Sequence, residues 1–129
     1  MDEKLSLFGY YLSTMRKNKG ISLRELAKAL KISHVYLHKI ESSQKAPPND
    51  ELLLKIVQCL NLNNDECLIL LNTAAISKHL YNSKNYYLPA DINKYLYANS
   101  QAQQLIREAD KLNLSSKYWA DLIEHLKRL

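Results

Sequence analysis

An all-α fold is predicted by three observations. Only two glycines and three prolines occur in 129 residues, so little interrupts the backbone. Apolar residues recur at three- and four-residue intervals over long stretches, which is the period of an amphipathic helix. Cap residues stand at the edges of those stretches, with Ser or Asn before them and Gly or Asn after them. The apolar fraction, 47%, is that of an ordinary soluble globular protein.

The elements follow in order. A first helix runs from about Leu5 to Lys17 and turns Leu5, Phe8, Leu12 and Met15 inward. Asn18-Lys19-Gly20 ends it, with Gly20 free to take a positive φ. Ser22 caps the second helix, and Glu25 three residues later completes a capping-box pattern. Leu23, Leu26, Ala27 and Leu30 form its apolar stripe. After a three-residue break Ser33 caps a third helix that lasts to Glu41. Leu37 and Ile40 point one way, while His34, Val35, His38 and Lys39 fall on the opposite arc at about 100° per residue.

SSQKAPPN is a polar, proline-containing loop. Asn49 or Asp50 caps a fourth helix with Leu52, Leu53, Ile56 and Leu60 inward, and Asn61 suits a left-handed cap at its end. A fifth helix starts near Asn63, carries Cys67, Leu68, Leu70 and Leu71, and extends to about Leu80. YNSKNYYL, residues 81–88, is then a linker or an irregular crossing segment. Pro89 suits the first turn of a short helix over Asp91–Tyr97. Two amphipathic helices close the chain. One carries Leu105, Ile106, Ala109 and Leu112. The other, capped by Ser115 or Ser116, carries Trp119, Leu122, Ile123 and Leu126. The short Asn113-Leu114-Ser115 link makes them antiparallel neighbours.

Several function classes are excluded. No apolar run is long enough for a transmembrane helix, so no membrane partner is expected. MDEKLSLF lacks the basic and apolar regions of a secretory signal, which points to the cytoplasm. Cys59 and Cys67 are expected as buried thiols of a reducing compartment. There is no Gly-rich phosphate loop, no Cys/His metal box and no nucleophile–base pattern, so no enzyme and no cofactor are expected. His34 and His38 have the i, i+4 spacing of a metal pair. They lack further ligands and an HExxH glutamate, so no metal site is expected.

Charge placement says more than its total. The net charge is +5. From Arg16 to Lys45 there are eight cations against Glu25 and Glu41 alone, a net of +6, so the rest of the chain is nearly neutral. The excess coincides with the second and third helices, which favours a polyanion as partner. A helix whose inner stripe is buried and whose outer face is polar and cationic fits the major groove of double-stranded DNA. Val35 is apolar on that face, where it can meet a thymine methyl. Lys39 suits guanine O6 and N7.

MRKNKGISLRELAKALKIS, SHVYLHKIE and the following PPNDELLLKIVQCLNLN make residues 5–72 resemble the lambda-repressor-like (Cro/C1, or XRE) helix-turn-helix family. The resemblance implies a five-helix DNA-binding domain acting as a homodimer on a near-palindromic operator. It implies base contacts from His34, Val35, His38 and Lys39. Tyr36, Ser43, Gln44 and Lys45 fall where the family contacts phosphate. Tyr36 either reaches phosphate through its hydroxyl or shields the core. Arg16 and Glu41 fall where phage repressors of this kind form an internal ion pair. Two positions depart from the pattern: Lys31 stands at the turn position usually filled by Gly, and Leu23 replaces a frequent Gln.

LIREADKLNLSSKYWADLIEHLKR resembles the C-terminal helical hairpin of SinR-type regulators. That implies dimerisation through Leu105, Ile106, Ala109, Trp119, Leu122, Ile123 and Leu126, and in some members uptake of an antagonist protein. The expected organisation is a DNA-binding domain over 5–72, a helix extension and linker over 73–90, and a helical hairpin over 91–129. The implied function is a bacterial or phage transcriptional repressor. The alternative is an antitoxin or an inhibitor of a host defence system, whose tyrosine-rich tail binds a target protein and whose helix-turn-helix regulates its own promoter.

Overall fold

The computed structural model describes residues 3–129, with side chains from Leu7 onward. The described residues form eight helices: α1 (Glu3–Asn18), α2 (Leu23–Leu30), α3 (His34–Glu41), α4 (Asp50–Cys59), α5 (Asn64–Tyr81), α6 (Ala90–Ala98), α7 (Ser100–Leu112) and α8 (Ser116–Lys127). They divide into two compact units, one ending at Asn93 and one running from Lys94 to Leu129.

In the first unit α1 packs on α5 and α3, and α2 packs on α3 and α4. Phe8, Leu12, Leu26, Leu37, Ile40, Leu53, Ile56, Leu60, Leu70 and Leu71 fill the core. The expected inward position of Leu5 lies outside the described side chains. Leu68 is exposed, because α5 turns Leu70, Leu71, Ala74 and Ala75 to the core. The cysteines differ from expectation. Cys59 is exposed and Cys67 only partly buried. Cys59 sits in the last turn of α4, off the stripe that carries Leu53, Ile56 and Leu60. Burial, and then the nearby Asp91 carboxylate, push the Cys67 thiol up from its ordinary pKa.

Helix starts follow the sequence. Ser22, Ser33, Asn49 and Ser115 each accept a backbone N–H in the first turn of the helix they precede, satisfying a donor the helix leaves free. A reciprocal capping box closes at Asn63, whose side chain accepts from Glu66 N–H at 2.8 Å while Glu66 accepts from Asn63 N–H at 3.0 Å. That N–H, aided by Lys19 at 3.2 Å, holds the Glu66 carboxyl below its ordinary range against some burial. The stabilisation is present above the ordinary glutamate pKa and is lost as pH falls through the lowered value.

Helix ends share one device. Gly20, Lys31, Ser43 and Asn61 all have positive φ. In each case the next residue's N–H bonds five residues back and the positive-φ residue's own N–H bonds three back, as in Ile32 to Ala27 (3.0 Å) and Lys31 to Lys28 (3.1 Å). This is the Schellman ending. Lys31 therefore adopts the left-handed turn without being glycine, at a cost of about 1–2 kcal/mol.

Gly9 sets how closely α1 approaches α3. A Cβ at this position would lie 2.3 Å from the Glu41 carbonyl oxygen and 2.8 Å from that of Ile40. Both obstacles are backbone. Gly9→Ala is expected to destabilise the unit by about 1–3 kcal/mol, despite the roughly 1 kcal/mol by which Ala favours a helix. A urea midpoint at or above that of the wild type would show that the helices separate freely.

Residues 82–89 are non-helical, and Ala90 beyond them is buried in the first unit's core. In the second unit Asn99, unpredicted as a cap, accepts from Ala102 N–H at 3.1 Å. Asn113 turns the chain with φ of 50°. Ile106, Ala109 and Asp110 of α7 share a cleft with Leu114 and Trp119.

Candidate nucleic-acid interface

α3 is short and positioned from both ends. Ser33 Oγ accepts from Tyr36 N–H at 3.1 Å. At the other end Lys39 carbonyl accepts from Gln44 N–H at 2.8 Å and from Lys45 N–H at 3.2 Å. The inner face, Leu37 and Ile40, is fully buried. The outer face carries His34, Val35 and His38, all exposed, with Lys39 and Tyr36 partly buried beside them. Val35 is 51% exposed, an apolar side chain directed to solvent among polar ones. Arg24, Lys28, Lys31 and Lys45 are exposed on the adjoining elements. Leu23, at the position of the usual Gln, is partly buried against the core.

One ion pair fixes α3 to the rest. Arg16 Nε donates to Glu41 Oε2 at 2.8 Å and Arg16 Nη2 to Glu41 Oε1 at 2.9 Å. Arg16 Nη1 donates to the Ile21 carbonyl at 2.9 Å. The two side chains are 9% and 8% exposed. The hydrogen bond from Glu41 raises the Arg16 pKa, burial opposes it, and the Glu41 charge adds to the rise. One guanidinium thus joins the end of α1, the end of α3 and the approach to α2.

The loop after α3 departs from expectation at one residue. Gln44 and Lys45 are exposed, but Ser43 is buried at 2% exposure with φ of 62°. It closes the helix by its backbone conformation, so its side chain is not presented to a phosphate. Its carbonyl accepts the Tyr81 hydroxyl at 2.6 Å. Tyr81 carries no periodic signal that ties it to this loop; expected in the linker, it is the last residue of α5.

The hairpin residues lie in the second unit. Ala109 is buried, Trp119 and Leu122 partly buried, and Leu105, Ile106, Ile123 and Leu126 exposed. Among the described residues no three His, Cys, Asp or Glu side chains converge on a metal-sized site, and no helix is long and apolar enough to cross a membrane.

Residues 12–66 match the helix-turn-helix family model. Among solved structures, the clp gene regulator ClgR from Corynebacterium glutamicum is similar in two crystal structures. One is 32% identical over 59% of this chain and 92% of its own, with a TM-score of 0.47. The other is 28% identical over 74% and 92%, also at 0.47. A SinR/SinI protein complex contains a chain 21% identical over 93% of this chain and 94% of its own, with a TM-score of 0.43. No curated protein matches. All three structural scores lie below 0.5, so the assignment rests on sequence. The match over residues 12–66 makes that segment a helix-turn-helix of the lambda-repressor-like family.

Proposed function

We propose that this chain is a DNA-binding transcriptional regulator, a cytoplasmic repressor that occupies a near-palindromic operator as a homodimer. One observation carries the reading. α3 presents exposed His34, Val35 and His38, with Lys39 beside them, over a fully buried inner face, in the most basic stretch of the chain. Such a helix matches the donors, acceptors and methyl groups of a major groove. Base contacts are assigned to His34, Val35, His38 and Lys39, and backbone contacts to Tyr36, Gln44 and Lys45. Residues 5–72 form the DNA-binding part, residues 73–90 extend it, and residues 91–129 dimerise.

The test is binding to a duplex that the wild-type chain selects from a random-sequence library. Affinity is expected to fall steeply with salt, because each neutralised phosphate releases counterions. Lys39→Ala is expected to cost about 1–3 kcal/mol and to relax preference at one position per half-site. Equal weakening on all sequences would make Lys39 a phosphate contact. A chain that binds no duplex at low salt would overturn the function itself.

A second reading is favoured by the second half of the chain. Tyr86, Tyr95, Tyr97 and Tyr118 are exposed, as are Leu105, Ile123 and Leu126. Tyrosines and contiguous apolar surface are features of protein interfaces. In that reading the tail binds an antagonist or target protein, and the helix-turn-helix regulates the chain's own promoter. A tail left exposed in a purified wild-type dimer would favour it.

A further inference from the structure

The loop between α3 and α4 is held at both ends by the last turn of α5. At its start Tyr81 Oη donates to the Ser43 carbonyl at 2.6 Å. At its end Lys78 Nζ lies 3.2 Å from Asp50 Oδ1, in the first turn of α4. Asn93 Nδ2 donates to the other oxygen of Asp50 at 2.7 Å. Lys78 and Tyr81 are three residues apart and so share one side of α5. Pro47 and Pro48, between the two anchors, are buried. The aromatic ring of Tyr87 lies 5.8 Å from Lys78 Nζ, over the same corner.

The Tyr81 bond falls at a residue with a left-handed backbone. Ser43 holds a left-handed turn that disfavours side chains. Gln44 N–H bonds back to Lys39 in the same turn, and Gln44 and Lys45 are exposed directly after it. Rotation at Ser43 would redirect both side chains relative to α3. The Ser43 carbonyl accepts the Tyr81 hydroxyl, a donor from outside the helix-turn-helix, which adds to the turn's own backbone bonds.

We propose that Tyr81 and Lys78 are positioning residues for DNA binding: they fix the loop after the recognition helix so that Gln44 and Lys45 meet the phosphate backbone. This rests on the DNA-binding reading above. It also makes the last turn of α5 part of the DNA-binding machinery. The hydroxyl of Tyr81 touches no DNA and acts through Ser43.

Tyr81→Phe removes the hydroxyl and keeps the ring. In the full-length chain, on the library-selected duplex, affinity is expected to fall between about two- and tenfold, the range of one net hydrogen bond. The slope of log affinity against log salt is expected to shrink toward that of Lys45→Ala, by about 0.9 for one lost phosphate contact. In a Lys45→Ala background, Tyr81→Phe is expected to change affinity little, because the contact it positions is already gone. Faster exchange of the Gln44 and Lys45 amides in the DNA-free Tyr81→Phe chain is expected too. Lys78→Met provides a second variant at the other anchor, with the same loss of slope. Unchanged affinity and slope in both variants, with wild-type binding intact, would overturn the positioning role alone. So would a Tyr81→Phe loss that adds fully to that of Lys45→Ala, since general loosening of the fold gives that result. A wild-type chain that binds no duplex would remove the DNA-binding reading and the positioning role together.

Discussion

Glu41→Ala is expected to destabilise the first unit by about 3–5 kcal/mol, the cost of leaving a buried charge without its partner. Three bonds of the Arg16 guanidinium converge on α3 and the approach to α2, and two of them go to Glu41. Both side chains are over nine-tenths removed from water, so salt screening is weak. Removing Glu41 leaves the cation held by the Ile21 carbonyl alone. Arginine cannot discharge itself by losing a proton, and the rise in its pKa that Glu41 provides is lost with that residue. The only relief is for Arg16 to reach solvent, which breaks the joint between α1 and α3.

A double-mutant cycle with Arg16→Ala separates the pair from the general cost of truncation. The double variant is expected to be less destabilised than the sum of the single ones, by more than about 1 kcal/mol in urea unfolding. Additive losses would show two independent charges. An apolar pair, Arg16→Met with Glu41→Leu, is expected to recover most of the stability, because desolvation offsets much of what an ion pair gains. Because α3 is anchored through Glu41, the single variant is also expected to weaken duplex binding at temperatures where the chain remains folded.

The first five helices are legible in the sequence because each boundary is set by a local interaction. Ser22, Ser33 and Asn49 bond within their own first turn, and Gly20 and Asn61 adopt the left-handed ending that their residue types favour. Period alone also places Leu37 and Ile40 inside and His34, Val35 and His38 outside. What escapes is whatever depends on a distant neighbour. Gly9 lies mid-helix, and its role is apparent only when the Ile40 and Glu41 carbonyls stand against it. Ser43 has the polarity of a surface residue, yet its turn and the Tyr81 hydroxyl bury it. Cys59 and Leu68 are apolar types on helices whose inward stripes were already filled by better-placed leucines. The Arg16–Glu41 pair spans 25 residues, and only the family resemblance joins two charges that no periodicity connects.

Leu122→Asp is expected to convert a dimer into a monomer. Of the seven residues assigned to the hairpin interface, Ala109 alone is buried, while Leu105, Ile106, Ile123 and Leu126 are exposed. A two-helix hairpin has too little interior to cover two apolar stripes, and pairing with a second copy into a four-helix arrangement would do so. In a twofold dimer every substitution acts twice. A carboxylate at residue 122 would then be buried without a partner in both copies. Trp119, beside it on α8, is the natural anchor, because buried tryptophans dominate many interfaces. Sedimentation at micromolar concentration is expected to give a wild-type dimer, a monomeric Leu122→Asp chain and a monomeric chain ending at Asn93, the last residue of the first unit. Both variants are expected to keep cooperative unfolding of the first unit and to lose most operator affinity, since a palindromic site is read by two recognition helices at once. A chain ending at Asn93 that remains a tight dimer would place the contact in the first unit, where Leu68, Ile69 and Ile76 form an exposed stripe on α5. The hairpin's apolar face would then be free for a different protein, and the interaction-protein reading would take precedence.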